Sequence, residues 1–289
     1  MSSAGYASVS VALTLISLKL WAWFATGSVA VLSSLADSLL DLLASCITLF
    51  AVKVAISPAD REHRFGHGKS EGIAGLVQAV IITGSAGFVC VRAIGRLLAP
   101  SPVESPGVGV GVMLVSLVLT IGLVAYQRFV VQRTGSLAIA ADAVHYRSDI
   151  LTNVAVLAAI LLSSQWGLHI FDPLLGLLVV VLILWSVSII VREALDVLLD
   201  RELPDSDRFR IEGIARAHPE VRGLHDMRTR SSGAAQFIQF HLELDPKINL
   251  ANAHTICDAV EREVQQQYPA AEVLIHADPH GLTETRDPF

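Results

Sequence analysis

The chain has 289 residues, 53% of them hydrophobic and only 17% charged, with a mean hydropathy of +0.56. Apolar residues at that level, gathered in long runs, exclude an ordinary soluble domain and predict an integral membrane protein with a soluble part. The net charge of −6 argues against nucleic acid as a partner, and three scattered cysteines (Cys46, Cys90, Cys257) without a CxxC pair argue against a disulfide framework or a thiolate metal site.

The first residues, Met1 to Tyr6, lack the basic region of a cleavable signal peptide. At about 20 residues per crossing, six apolar spans follow: residues 7–28, 33–56, 72–91, 108–127, 137–164 and 173–191. The third, fourth and sixth contain no charge. Lys19 lies in the first span, and the second and fifth hold acids and a histidine. Polar residues confined to one stripe suit helices that face a bundle interior. Six spans place both termini on one side, and basic residues choose it. Lys53 lies at the end of span two and Arg61, Arg64 and Lys69 follow it, Arg128 and Arg133 follow span four, and Arg192 and Arg201 follow span six; only Arg92 and Arg96 run against the pattern. Both termini are therefore expected in the cytoplasm.

Composition changes near Asp200, which divides the chain into a membrane domain, residues 1–199, and a soluble domain, residues 200–289. Residues 205–217 have a helical pattern, 223–230 read as a strand, and Ser231-Ser232-Gly233 as a turn. Residues 236–245 alternate, with Ile238, Phe240, Leu242 and Leu244 on one face and Gln239, His241, Glu243 and Asp245 on the other. Residues 250–268 read as a helix with Asn249 as its N-cap and Pro269 as its stop, and 272–277 as a last strand. The order α-β-β-α-β predicts a small α+β domain with helices on one sheet face.

Three constellations carry chemistry. In span two, Asp37 and Asp41 are four residues apart, which on a helix places them on one face about 6 Å apart along the axis. Span five repeats the spacing with His145 and Asp149. A charge within a membrane costs at least ~2.5–3.5 kcal/mol and usually marks an ion path. Three carboxylates and one imidazole suit a divalent first-row ion such as Zn²⁺, Fe²⁺ or Mn²⁺ better than Cu(I). The plainer alternative is that these acids pair with nearby bases or line a wet vestibule. Asp142, one turn before His145, reads as a packing residue and not a ligand. In the loop after span two, Asp60, His63 and His67 offer three ligands, or else the loop is a solvated basic segment that meets anionic lipid headgroups. The soluble domain holds His225, His241, His254, His276 and Asp278, with unrelated surface histidines as the alternative.

The D-S-x-x-D of span two, the F-G-H-G-K after it and the A-D-x-x-H-Y-x-S-D of span five together resemble the cation diffusion facilitators, most closely their bacterial zinc and ferrous-iron efflux members. The likeness extends to residues 225–230 (H-D-M-R-T-R) and 275–279 (I-H-A-D-P). It implies a six-helix membrane protein with a C-terminal cytoplasmic α+β domain of metallochaperone type, a homodimer in the bacterial inner membrane. It further implies export of a divalent cation (Zn²⁺, Fe²⁺ or Cd²⁺) in exchange for protons. By position it implies a transport site of Asp37, Asp41, His145 and Asp149, a loop site of Asp60, His63 and His67, and a binuclear dimer-interface site of His225, His241, His254, His276 and Asp278. Lys69 and Asp200 match a pair that ties the two parts together. His280 matches no role.

Proton exchange follows from ligand chemistry, because metal binding needs a deprotonated imidazole and carboxylates. An intramembrane hydrolase would need HExxH or a GxGD-like dyad, and neither occurs. A non-transporting sensor or scaffold subunit of the same fold is the other reading; loss of a ligand in span two or five would favour it, and all four are present.

Overall fold

The computed structural model describes residues 1–26, 29–98, 107–166 and 171–281. The chain divides into two compact units, residues 1–195 and 196–289.

The first unit is built from six long helices: α1 (Ser2–Thr26), α2 (Val29–Ala55), α3 (Ser70–Leu98), α4 (Gly107–Thr134), α5 (Leu137–Trp166) and α6 (Phe171–Leu198), the last ending just past the unit boundary. Each exceeds the apolar run that predicts it, because a helix continues into the polar flanks at the membrane surface. Among the described residues, α1, α2, α3, α4 and α6 contain stretches long and apolar enough to cross a membrane. α5 is 30 residues long but carries Asp142, His145, Arg147 and Asp149 in its first half. Large apolar side chains point outward along the unit: Phe24, Phe50, Val80, Val91, Val118 and Trp185 are each at least 66% exposed. Such a surface would aggregate in water and is stable against lipid tails.

α1 packs against α2 and α4, α5 against α2, α3 and α4, and α3 against α2. Small residues permit the close approaches, as expected where lipid supplies no hydrophobic drive between helices. A Cβ on Gly5 of α1 would come within 2.9 Å of Leu49 of α2. Between α3 and α6 the same device appears at two levels, with Gly75 against Ala194 and Gly176 against Ala93. Polar cross-links stitch the bundle. Gln78 Nε2 donates to the Ala44 carbonyl and to Thr48 Oγ1, each at 2.9 Å, and Ser45 Oγ and Tyr146 OH share a hydrogen bond of 2.8 Å. The buried Glu71, at the start of α3, accepts from Ser136 Oγ and from the Leu137 N–H, both at 2.8 Å, and so caps α5.

The second unit contains α7 (Asp205–Ala217), β1 (Gly223–Ser232), β2 (Ala235–Leu244), α8 (Leu250–Gln267) and β3 (Ala271–Pro279). The sheet order is β1-β2-β3, with β1 antiparallel and β2 parallel to its neighbour, so α8 is the crossover. Asn249 caps α8 by accepting from the Asn252 N–H. The alternation of β2 sends Ile238, Phe240, Leu242 and Leu244 into a core closed by Ile211 and Ala215 of α7 and by Ile256, Val260 and Val264 of α8. Phe237 departs from the pattern: it is buried on the opposite face, where the Arg230 guanidinium lies 4.4 Å from its ring.

Candidate metal centres

In the membrane unit, α2 and α5 bring Asp41, His145 and Asp149 together, with one ligand atom from each lying within 4.8 Å of the others. His145 Nε2 is 3.0 Å from Asp41 Oδ1. His145 is nearly buried and both carboxylates are partly covered. The i, i+4 spacing accounts for His145 and Asp149 facing one side of α5. Asp37 is exposed and lies outside the tight group. Four residues of helical rise, about 6 Å, separate it from the level of Asp41.

Asp142 lies below His145 in the α1–α4–α5 interface. Its Oδ2 accepts from Ser8 Oγ and Gln127 Nε2, both at 2.7 Å, and Gln127 also donates to Ser8 at 2.9 Å. These partners leave Asp142 as a packing residue that fixes α5 at the base of the site. Ser8 and Gln127 carry no local signal in the sequence and are found only through the fold.

In the loop between α2 and α3, Asp60, His63 and His67 also bring one ligand atom each within 4.8 Å. Asp60 Oδ1 accepts the backbone N–H groups of Glu62 (2.9 Å) and His63 (2.6 Å), which ties the turn. Donation from the His63 N–H, more than any other contact, holds the Asp60 carboxyl below its ordinary range. Its oxygens lie 3.4 Å from His63 Nδ1 and 3.3 Å from His67 Nε2. Ser57, which carries no signal in the sequence, orients His67. Ser57 Oγ donates to the Val54 carbonyl at 2.5 Å and lies 3.1 Å from His67 Nδ1. A hydroxyl has one proton; with that proton on Val54, Ser57 accepts Nδ1–H, which leaves the Nε2 lone pair of His67 facing Asp60.

In the soluble unit, strand register places His225 beside His241 and His241 beside His276, so one histidine from each strand forms a row on the face away from the helices. Ring centroids are 5.1 and 4.7 Å apart along it. Asp278, two residues after His276 and on the same face, sits under the row. Its Oδ2 is 2.5 Å from His241 Nδ1 and 3.6 Å from His225 Nε2, and its Oδ1 is 3.2 Å from His276 Nε2. One ligand atom each from His225, His241 and Asp278 lies within 4.8 Å of the others, and His276 stands outside that tight group while touching the second oxygen of Asp278. Among the described residues His254 stands apart from the row, exposed on α8 and 3.5 Å from Asp258.

Further residues build this site without an obvious sequence signal. A bulge sets Asp226 and Met227 of β1 against the single Phe240 of β2, with Asp226 at φ 47°, and aims His225 into the row. Glu243 accepts from His225 Nδ1 at 2.9 Å and from His280 Nδ1 at 2.7 Å. Those contacts, His280 foremost, hold the Glu243 carboxyl below its ordinary range. With Nδ1–H on Glu243, His225 keeps Nε2 for the ion. Gly223 leaves room for the Glu243 carboxyl, since a Cβ there would lie 2.8 Å from it and push the Glu243 side chain aside.

Comparison with known proteins places this geometry in context. Residues 6–199 match the cation efflux transmembrane domain, and residues 203–280 match the cation efflux protein cytoplasmic domain. The chain is 44% identical over 279 residues to the cation-efflux pump FieF of Salmonella typhimurium and to that of Salmonella arizonae, covering 96% of this chain and 93% of each relative. A solved metal-bound C-terminal domain of the CzcD transporter from Thermotoga maritima is 28% identical and is covered over 93% of its length by 27% of this chain, with a TM-score of 0.27. With both of its units matched and its curated relatives aligned nearly end to end, the chain belongs to the cation efflux, or cation diffusion facilitator, family of integral membrane proteins.

Proposed function

We propose that this protein exports a divalent transition-metal ion, Zn²⁺, Fe²⁺ or Cd²⁺, from the cytoplasm in exchange for protons, working by alternating access as a homodimer in the bacterial inner membrane. The observation that carries the reading is the meeting of Asp41, His145 and Asp149 between two long helices of the membrane unit. Asp37, one turn away on α2, completes a four-ligand set once its side chain turns to a bound cation. In this reading α5 crosses the membrane with the five apolar helices, because its polar residues face the site and its second half is apolar.

Export follows from competition for the same lone pairs. Metal binds a neutral imidazole and ionised carboxylates; protons displace it from the face where they are more concentrated. Alternation of the site between the two faces then couples the two flows, with each ligand shifting the equilibrium by its differential affinity for the two states. The loop of Asp60, His63 and His67 and the histidine row of the sheet are further metal positions. The row accepts two ions through Asp278, and His254, exposed on α8, is free to reach that site across a dimer interface. Metal held there would strengthen the dimer and raise transport when the cytoplasmic metal concentration rises. Relatives named as cation-efflux pumps, alike over nearly their full length, support the direction of transport.

The test is zinc flux into proteoliposomes. Asp41→Ala and Asp149→Ala are each expected to abolish saturable flux while the protein still inserts and elutes as the wild type does. Wild-type flux in either variant would refute the transport-site assignment.

A further inference from the structure

Lys19 is an ammonium inside a membrane helix with, among the described residues, no acid in direct contact. It lies on α1 and is 9% exposed. Its Nζ donates to Ser38 Oγ at 2.6 Å and to the Ser34 carbonyl at 3.1 Å, both on α2. Ser38 is fully buried and stands between Asp37 and Asp41 in the chain. Ser34 and Ser38 each stand three residues before an acid, Asp37 and Asp41, within one helical turn along α2, yet among the described residues the lysine forms no ion pair within 4.0 Å. A lysine that served only to neutralise an acid would lie against one. This one is held off the acids by a hydroxyl and a backbone carbonyl, close enough to be felt and too tethered to ligate or to block.

Charge counting shows what such a residue can do. Three carboxylates with a neutral imidazole carry three negative charges, and a divalent ion supplies two positive ones. The loaded site would keep one net negative charge in a medium of low dielectric, where uncompensated charge is costly. Lys19 brings the loaded site to neutrality. The same charge repels the cation and loosens it. A transport site needs binding strong enough to load and weak enough to release, and three carboxylates without a counter-charge would hold a first-row dication tightly.

We infer that Lys19 is a fixed counter-cation that weakens metal binding at the α2–α5 site and sets the rate of metal release; it is a positioning and affinity-tuning residue, not a ligand. The inference rests on the transport-site reading above. Its test is the concentration dependence of zinc flux in proteoliposomes of the full-length protein, comparing wild type, Lys19→Gln, Lys19→Arg and Asp149→Ala. Removal of a unit charge within reach of a dication is worth about tenfold or more in affinity. Lys19→Gln is expected to lower the half-saturating zinc concentration about tenfold and to lower the maximal rate by a similar factor. Lys19→Arg, which keeps the charge, is expected to stay within about threefold of wild type on both. A lysine that merely joins α1 to α2 would give a different pattern, with the glutamine variant losing rate at an unchanged or higher half-saturating concentration, and that result overturns the inference. Should Lys19→Gln fail to insert, Ser38→Ala is read in its place. It frees the ammonium to swing towards the carboxylates and is expected to raise the half-saturating concentration about threefold; an unchanged value overturns the inference. Asp149→Ala separates the two readings, since wild-type flux there refutes the site itself and leaves Lys19 nothing to tune.

Discussion

His145 Nε2 lies 3.0 Å from Asp41 Oδ1, although the two residues are 104 positions apart. The contact joins α5 to α2, as does the neighbouring Ser45–Tyr146 hydrogen bond, and Asp149 completes the group a turn further along α5. Mixed nitrogen and oxygen donors favour zinc over manganese. His145→Asp is expected to shift the flux ratio of Zn²⁺ to Mn²⁺ towards manganese by about tenfold, measured with both ions in competition in the same vesicles. An unchanged ratio would place selectivity elsewhere.

The histidine row of the sheet gives a second expectation. Glu243 orients His225, and loss of such an orienting carboxylate costs about 10–100-fold in metal affinity. Glu243→Gln is therefore expected to weaken zinc binding at the row by about tenfold, and His241→Ala to remove at least one zinc per chain. Both are measured by chelator competition and metal stoichiometry on the full-length protein in detergent, with α-helix content checked by circular dichroism. Undiminished stoichiometry in His241→Ala would return the row to a set of surface histidines.

Much of this architecture is legible in the sequence, for identifiable reasons. A strong period-2 alternation fixes β2 to within a residue at each end, and Asn249 marks the start of α8 through the cap it makes. The i, i+4 pairs of acids and histidine stand out because charge is rare in apolar runs. What the sequence hides is held by distance or by irregular backbone. Glu243 meets His280 across 37 positions, and His225 reaches the row through a bulge that no pattern announces. Asp142 reads as a packing acid from its position, but its partners Ser8 and Gln127, far off in the chain, are found only through the fold. Spacing alone also groups Asp37 with Asp41, whereas the fold places it a turn outside the tight cluster.

The loop after α2 makes a prediction about pH. The Asp60 carboxyl titrates below its ordinary value because the charged form accepts the His63 and Glu62 amides. A depressed value means that the turn is favoured above the ordinary carboxylate range and loses that support only as the pH falls through the lowered value. The amide resonance of His63, followed by ¹⁵N-histidine labelling without metal, is expected to titrate with a midpoint below ~3.9. A midpoint at or above that value would show that the carboxylate does not tie the turn. Asp60→Asn keeps an acceptor oxygen and removes the charge, so the acid-dependent change should vanish.

Ser57 offers a sharper look at the same loop. Ser57→Ala removes the acceptor for His67 Nδ1–H and frees the ring to change tautomer. Zinc affinity of the loop is expected to fall about tenfold, the lower bound for loss of an orienting partner, and Ser57→Thr is expected to restore it. Equal affinity in wild type and Ser57→Ala would remove Ser57 from the site.

Zinc flux under an imposed proton gradient tests the central claim most directly. Oriented vesicles are held with the cytoplasmic face of the protein at pH ~7.5 and the opposite face at pH ~6, or with both faces at pH ~5.5, the voltage clamped; the values bracket the ordinary imidazole range of ~6.5. Exchange at Asp41, His145 and Asp149 predicts faster zinc export in the first regime than without a gradient, slow export in the second, and no saturable flux in Asp149→Ala under either. Flux that ignores a proton gradient of either direction, or that survives in Asp149→Ala, would contradict the account.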